Sequence, residues 1–227
     1  MPKISKRQKS NSALIEKDKI YAPDEALELA KKTANTKFNG AIEVHVRLGV
    51  DPKKSDQGVR GLVTLPNGTG KTVKIAAFVT EAKEKQAKEA GAAIVGGEEL
   101  VKKIKETGST DFDIAVAEPA MMKNMAQIAK ILGQRGLMPN PKTGTVSENI
   151  AGAIKEIAGG KVDFKNDESG NVHQIIGKAN FETEKLLRNF QTFMDALNAS
   201  KPSTVKKQFV LGVSVNATMG PGIKVRI

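Results

Sequence analysis

The sequence predicts an α/β protein in two parts: an α+β domain assembled from both chain ends, residues 1–67 and 160–227, interrupted by an inserted, Rossmann-like α/β domain at residues 68–159. Charge is the first reason. The two ends together hold 23 Lys/Arg against 14 Asp/Glu, the middle 13 against 11, so the net +11 divides as +9 and +2. Pattern is the second. Both ends carry strands that alternate apolar and polar residues, as a sheet with one wet face does. The middle alternates short apolar strands with helices, as a parallel sheet covered on both faces does. Punctuation is the third. Leu65-Pro-Asn-Gly-Thr-Gly70 and Ala158-Gly-Gly160 are rich in residues that permit unusual torsions, which makes Gly68, Gly70, Gly159 and Gly160 the candidate hinge. Each end alone would be a marginal domain; joined, they make one of ordinary size.

The chain opens with Lys3, Lys6, Arg7, Lys9, Lys17 and Lys19. This stretch reads either as a solvated terminus or as an arm that contacts RNA. A helix follows from Pro23 to Ala34. Pro23 suits a first turn, Asp24 and Glu25 complement the helix N-terminus, and Lys31 and Lys32 its end. Residues 41–49 alternate, with Ile42, Val44, Val46 and Leu48 on one side and Glu43, His45 and Arg47 on the other. That predicts a half-buried strand.

In the middle, Val73–Val79 reads as a β-branched strand, Glu81–Ala90 as a helix and Ala92–Val95 as a short buried strand. Glu98–Glu106 is again helical and Phe112–Ala117 again a strand. Met121, Met125, Ile128 and Leu132 recur at helical spacing, and Ile150, Ile154 and Ile157 mark a further helix capped by Ser147. Beyond it, Lys161–Lys165 and Asn171–Ile176 flank a turn and predict a hairpin. Leu186, Phe190, Phe193 and Leu197 form a helical stripe. Phe209, Leu211, Val213 and Val215 alternate on a strand, and Ile223, Val225 and Ile227 on a last one.

Composition narrows the function. With 39% hydrophobic and 27% charged residues the chain suits a soluble globular protein, and no apolar run approaches a membrane span. No apolar segment follows the basic N-terminus, so it does not read as a secretory signal. The chain has no cysteine, which removes disulfides, thiol nucleophiles and zinc fingers and is compatible with a reducing cytoplasm. A basic surface concentrated in one domain is the footprint of a polyanion, most often nucleic acid. Trp is absent and Tyr21 is the only tyrosine, so stacking on bases would fall to phenylalanines and arginine planes.

Short motifs add little. Gly68-Thr-Gly-Lys-Thr72 suggests a P-loop, but Leu65 stands where that motif needs its first glycine, and a strand rather than a helix follows. No Gly-x-Gly-x-x-Gly follows the first strand of the middle, where the chain reads Val79-Thr-Glu81. Gly133-Gln-Arg-Gly136 resembles the backbone-clamping loop of KH domains, or is a helix cap and a turn; Arg135 and Lys142 in and after it are candidate phosphate contacts. His45 and His173 have no partner at metal-ligand spacing, and the carboxylates form no obvious acid–base pair, so neither a metal site nor catalysis is predicted. Lys37-Phe38, before the first strand, and Thr218-Met-Gly-Pro-Gly222, between the last two, hold more. A lysine for phosphate, an apolar ring for ribose or base and a glycine for close backbone approach suit an RNA surface; an ordinary turn beside a partly buried phenylalanine is the competing reading.

An ordered set of motifs is more specific than any of these alone. It comprises Lys37-Phe38, Glu43-Val-His45, Gly49-Val-Asp-Pro52, Asp56-Gln57, Val59-Arg-Gly61, Leu65-Pro66, Gly96-Gly-Glu98 and Ile131-Leu-Gly133. It continues through Arg135-Gly-Leu137, Pro139-Asn-Pro-Lys142, Gly144-Thr-Val146, Phe164, Asn166-Asp167, Gly177-Lys178 and Thr218-Met-Gly-Pro221. Through it the chain resembles, essentially end to end, the family of protein one of the bacterial large ribosomal subunit, which sits on the mobile lateral stalk beside the tRNA exit site. The resemblance implies the inserted two-domain architecture and a non-enzymatic, cofactor-free component of the cytoplasmic ribosome. It implies binding to the stalk segment of large-subunit rRNA, a part in exit-site tRNA release, and translational repression through the protein's own operon mRNA. Lys37, Phe38, Thr218, Met219 and Gly220 match the family's RNA-contact core, with Lys6, Arg7 and Lys178 as further candidate RNA contacts. Ala41 and Gly212 stand where the family carries Thr and Ser, which puts those two hydroxyl contacts in doubt. Two other readings compete: a nucleotide-dependent enzyme on the central domain, and an RNA-binding regulator outside the ribosome.

Overall fold

A computed structural model of the chain describes residues 5–16 and 19–226. Lys3, Lys17 and Ile227, which the sequence reading uses, lie outside them. In chain order the elements are α1 (Lys6–Ala13), α2 (Pro23–Thr33), β1 (Ala41–Leu48), β2 (Arg60–Thr64), β3 (Ile75–Phe78), α3 (Glu84–Glu89), β4 (Ile94–Gly96), α4 (Glu98–Thr107) and β5 (Ile114–Ala117). They continue as α5 (Met122–Met125), α6 (Ala129–Gln134), α7 (Ile150–Ala158), β6 (Lys161–Lys165), β7 (Asn171–Lys178), α8 (Thr183–Ala199), β8 (Val210–Ala217) and β9 (Ile223–Val225). They gather into two compact units. One runs up to Gly70 and resumes at Gly160; the other is Lys71–Gly159.

The first unit is built on an antiparallel sheet in the order β7-β1-β8-β9. One face of the sheet is the core. Ile42, Val44, Val46 and Leu48 meet Val172, Ile176, Val213 and Val215, under Leu27 and Ala30 of α2 and Leu186, Phe190, Phe193 and Leu197 of α8. The polar residues of the same strands stay on the open face. Strands β2 and β6 pair separately as an antiparallel ribbon. It joins the core through Phe164, whose ring meets Phe193 edge-on with centroids 5.6 Å apart.

Several expectations change here. The hairpin over residues 161–176 does not form: β6 pairs with β2 and β7 with β1, leaving a single bridge between Asn166 and Val172. The turn closes because the Asp167 carboxylate accepts from the N–H groups of Ser169 and Asn171 at 2.8 and 2.7 Å. Leu211 does not share the buried side of Val213. Arg47 pairs with Gly212 and Leu48 with Val210, so Leu211 is the unpaired residue of a β-bulge, and the bulge turns its side chain outward. Arg60–Thr64 is a strand that the pattern did not suggest. The basic N-terminus is a helix: Ser5 Oγ accepts from Gln8 N and Ser5 N donates to Gln8 Oε1, both at 3.2 Å. That reciprocal pair is a capping box. Asn11, buried, ties α1 to the end of α2 by donating to Thr33 O at 2.9 Å.

The second unit holds a parallel sheet in the order β4-β3-β5, covered on both faces. Phe78 packs with Val101, Ile104, Phe112, Met121, Met125, Ile128 and Leu132 on one side; Ile75, Ala77 and Val79 pack with Ala87, Ile150, Ile154 and Ile157 on the other. Details differ from the sequence reading. Residues 81–83 form a 3-10 turn before α3, β4 is half-buried rather than buried, and residues 119–134 alternate short α and 3-10 turns. Asn149 rather than Ser147 caps α7, its Oδ1 accepting from Gly152 N at 3.0 Å, while Ser147 Oγ accepts from Asn149 N.

Candidate nucleic-acid interface

The candidate residues meet at one end of the four-stranded sheet. β1 and β8 pair so that Ile42 lies opposite Ala217, which carries Thr218 alongside Ala41. Thr218 N donates to Ala41 O at 2.9 Å, and Ala41 N donates to Thr218 Oγ1 at 3.0 Å. A hydroxyl replaces the next rung of the ladder and fixes where the loop leaves the sheet. Thr218 Oγ1 also lies 3.2 Å from Glu43 Oε1. Lys178 sits opposite Ala41 on β7, so Lys178, Ala41 and Thr218 form one row across three strands.

The loop then turns sharply. Gly220 N donates to Ala217 O at 2.7 Å, and Met219 takes φ 65°. Among the described residues it is the only one other than glycine with positive φ. A methionine held in the left-handed region is uncommon, and strain of this kind concentrates where function needs it. Met219 is 67% exposed and Phe38 55%, so the core explains neither side chain. Arg7 of α1 reaches the loop, its Nη2 donating to Met219 O at 3.4 Å, with Lys6 beside it on the same helix. Lys37 is exposed, and Thr36 Oγ1 donates to Phe38 O at 2.7 Å, which steadies the backbone beneath the ring. The result is two exposed apolar side chains on a braced loop with cations around them. It suits an anionic polymer with apolar faces and offers no group positioned for covalent chemistry.

Of the two departures, Ala41 belongs to this cluster through its backbone. Gly212 does not; it pairs with Arg47, toward the other end of β8. The junction glycines differ in backbone. Gly68, Gly70 and Gly160 have φ of 62°, 71° and 101°, whereas Gly159 is ordinary helix C-cap backbone at −73°. Gly70 sits against Lys178 and Phe181, so the first unit extends past the expected boundary at Asn67.

The remaining motifs resolve into structure. Residues 68–72 lead into β3 rather than a helix, so no helix N-terminus meets a phosphate there. At the carboxyl ends of β3 and β5, where a nucleotide binds in many α/β folds, Glu118 follows β5 and is held in an ion pair. Lys83 Nζ bonds Glu118 Oε1 at 2.8 Å and holds its carboxyl below the ordinary carboxylate range, with the N–H and hydroxyl of Thr80 adding to the effect. Gly133–Gly136 ends α6: Gly136 has φ 68°, Leu137 N donates to Leu132 O at 2.8 Å, and the Arg135 guanidinium bonds Thr110 Oγ1. His45 and His173 are cross-strand neighbours, their Nδ1 atoms 2.7 Å apart, with His45 Nε2 2.6 Å from Asn216 Oδ1. They brace the open face of the sheet, and among the described residues no group of three or more metal-ligating side chains gathers.

Arg7 is a candidate RNA contact by sequence; that it lies on a helix and reaches the Met219 loop is what the pattern did not disclose. Ser5-x-x-Gln8 carried the signal, as a capping box at the start of a helix.

Comparison with known proteins agrees in kind. The family model described as "Ribosomal protein L1p/L10e family" matches residues 30–221. The "Large ribosomal subunit protein uL1" of Mesoplasma florum is 50% identical over 227 residues, covering 100% of both chains. That of Mycoplasma capricolum subsp. capricolum is 51% identical over 225 residues, covering 99% of both, and that of Mycoplasma mycoides subsp. mycoides SC is 50% identical over 226 residues, covering 100% of both. Similarity of this depth over essentially the whole chain settles the family. The chain belongs to the ribosomal protein L1p/L10e family, among the non-enzymatic uL1 components of the large ribosomal subunit.

Proposed function

We propose that the unit built from both chain ends holds the stalk segment of large-subunit rRNA, and that Lys37, Phe38, Thr218, Met219 and Gly220 make the specific contact, with Lys6, Arg7 and Lys178 neutralising nearby phosphates. One observation carries the reading: Phe38 and Met219 are exposed beside each other's loops on backbone that Thr218 and Ala41 lock in place. A preformed apolar pair reads the shape and sugar edges of folded RNA, and the cations supply affinity by releasing counterions. The unit's +9 share of the net charge fits that division of labour. In the cytoplasmic ribosome the protein would move with the lateral stalk as exit-site tRNA leaves. Bending where the two units join, after Gly70 and between Gly159 and Gly160, would permit that motion, whereas Gly68 is held within the first unit. The same surface, met by a similar fold in the protein's own operon mRNA, would repress translation. Sequencing the RNA that copurifies with the protein tests all of this. Enrichment of the stalk segment and of the operon leader is expected. RNA drawn evenly from the whole transcriptome would overturn the specific reading, and a stalk segment without the leader would remove repression.

A further inference from the structure

The open face of the four-stranded sheet carries a groove of about 580 Å³, bounded by Ile20, His45, Arg47, Leu211, Lys224 and Arg226. That volume lies in the range of roughly 300–1,000 Å³ typical of sites for small organic groups. Two of its walls are unusual for a solvated face. Ile20 is 61% exposed and Leu211 48%, so two branched apolar side chains stand in water. Leu211 is there because the bulge opposite Arg47 and Leu48 turns it outward. Beside it, a Cβ added to Gly212 would meet nothing within 4 Å, so the missing side chain leaves the space between them open. The floor is stiff. The rings of His45 and His173 meet edge-on with centroids 4.9 Å apart, and Asn216 holds the far side of His45.

Charge names the occupant. Arg47, Lys224 and Arg226 line the groove, and no carboxylate does among the described residues. Two acids, Glu43 and Asp167, face the Nε2 atoms of His45 and His173 at 3.9 and 3.4 Å, outside the lining. Apolar walls over an imidazole floor, with the guanidinium groups of Arg47 and Arg226 at the rim, suit a group that is flat with apolar faces and anionic on its tether, which is a nucleotide. β8 and β9, which form much of the groove, also flank the Thr218–Gly220 loop. Ser214 in the groove lies roughly 13 Å along β8 from Thr218 at ~3.3 Å per residue. RNA seated on the loop therefore has a continuous path onto this face.

We propose that the groove is a second RNA subsite that takes a single unstacked nucleotide, its base between Leu211 and Ile20 and its phosphate against Arg47 and Arg226. The inference rests on the rRNA-binding reading above and adds a site to it. Sequence-specific RNA binding commonly splays out unpaired bases in this way, and here the aliphatic side chains of Ile20 and Leu211 and the imidazoles of His45 and His173 supply the surfaces.

The test uses the full chain and stalk-segment rRNA in which each unpaired nucleotide is replaced, one at a time, by fluorescent 2-aminopurine. One position should change its emission on binding. Leu211→Ser should abolish that change and weaken binding roughly 5- to 150-fold, the scale of one lost base contact. Met219→Ala should weaken binding and leave the emission change of the bound complex intact. Melting temperatures of both variants confirm that they are folded. Tight binding of the rRNA with no reporter sensitive to Leu211→Ser overturns the subsite and leaves the rRNA reading standing. Absence of rRNA binding by the unmodified chain overturns both. A concentration-dependent dimer that Leu211→Ser disrupts would assign the groove to a second copy of the chain and overturn the nucleotide.

Discussion

Gly68 and Gly160 touch backbone to backbone where the chain leaves the first unit and returns to it. A Cβ added to Gly160 would lie 2.6 Å from the Cα of Gly68, and Gly160 itself has φ 101°. Leu65 N donates to Gly160 O at 3.1 Å, closing the crossing. Buried Asn189 clamps it from α8, donating to Gly68 O at 2.9 Å and Ile176 O at 2.7 Å while accepting from Asn67 N at 3.1 Å. Both strands of the junction are therefore tied to the first unit as far as these two glycines.

Gly160→Ala should lower stability by roughly 1–3 kcal/mol, because it forces both a positive φ and a collision with backbone. Gly159→Ala, at φ −73° and with its new methyl 3.1 Å from Lys155 O, should cost less. Thermal melts of the two variants against the parent decide this. Equal midpoints would mean that the Gly68–Gly160 contact carries no weight.

The clamp at Asp167 makes the turn between β6 and β7 sensitive to acid. The Asn171 N–H, then the Ser169 N–H, the Asn171 side chain and His173, hold its carboxyl down to about 2 from an ordinary 3.8. A depressed folded value gives stability that is present above about 3.8 and lost as pH falls through about 2. Asp167→Asn should therefore be less stable than the parent at neutral pH, and the gap should close between about pH 4 and pH 2. Denaturant melts at a series of pH values check it. A gap that stays constant down to pH 2 would show that the charge is irrelevant to the turn. The carboxylate is partly exposed, so the effect at neutral pH is modest.

How much of this the sequence disclosed depends on the range of the interaction. β1 was readable because its alternation is a local consequence of one wet and one dry face, and α2 because Pro23, Asp24 and Glu25 mark a helix start within one turn. The partner of β6 was not readable. A short polar turn pointed to β7, and the true partner, β2, lies about a hundred residues earlier. Leu211 was misplaced because an alternation rule presumes an unbroken ladder, and a bulge shifts parity without any residue type to announce it. At the site, Lys37-Phe38 and Thr218-Met-Gly220 were ambiguous by composition. A backbone pairing of residues 177 positions apart brings their loops together, and only exposure distinguishes Phe38 from a core residue.

The two units should divide the binding. A chain in which residues 71–159 are replaced by a short glycine-rich link should fold and keep most of the rRNA affinity, while residues 71–159 alone should bind poorly. The +9 and +2 shares of the net charge motivate this. Affinity of the first piece should fall steeply with salt, with a log–log slope of roughly −0.7 to −0.9 for each phosphate contact. Filter binding at several salt concentrations measures both. Equal affinities of the two pieces for the stalk segment would refute the division, and a link-joined chain that does not fold would refute independent units.

Met219 allows stability and recognition to be separated in opposite directions. Its backbone sits at φ 65°, a conformation that costs an L-residue about 1–2 kcal/mol and costs glycine little. Its side chain is 67% exposed and contributes little to the core. Met219→Gly should therefore leave the melting temperature unchanged or raise it, yet weaken rRNA binding by roughly 1–3 kcal/mol if the side chain seats against ribose or base. Phe38→Ala, at 55% exposure, should likewise lose binding with little change in stability. Neither change removes charge, so the salt slope should stay constant, whereas Lys6→Ala should weaken binding to many RNAs alike and flatten the slope slightly. A Phe38→Ala protein that melts early but binds at full strength would remove that ring from the site. A Met219→Gly protein that is both stable and fully active would leave the left-handed methionine without a role in recognition.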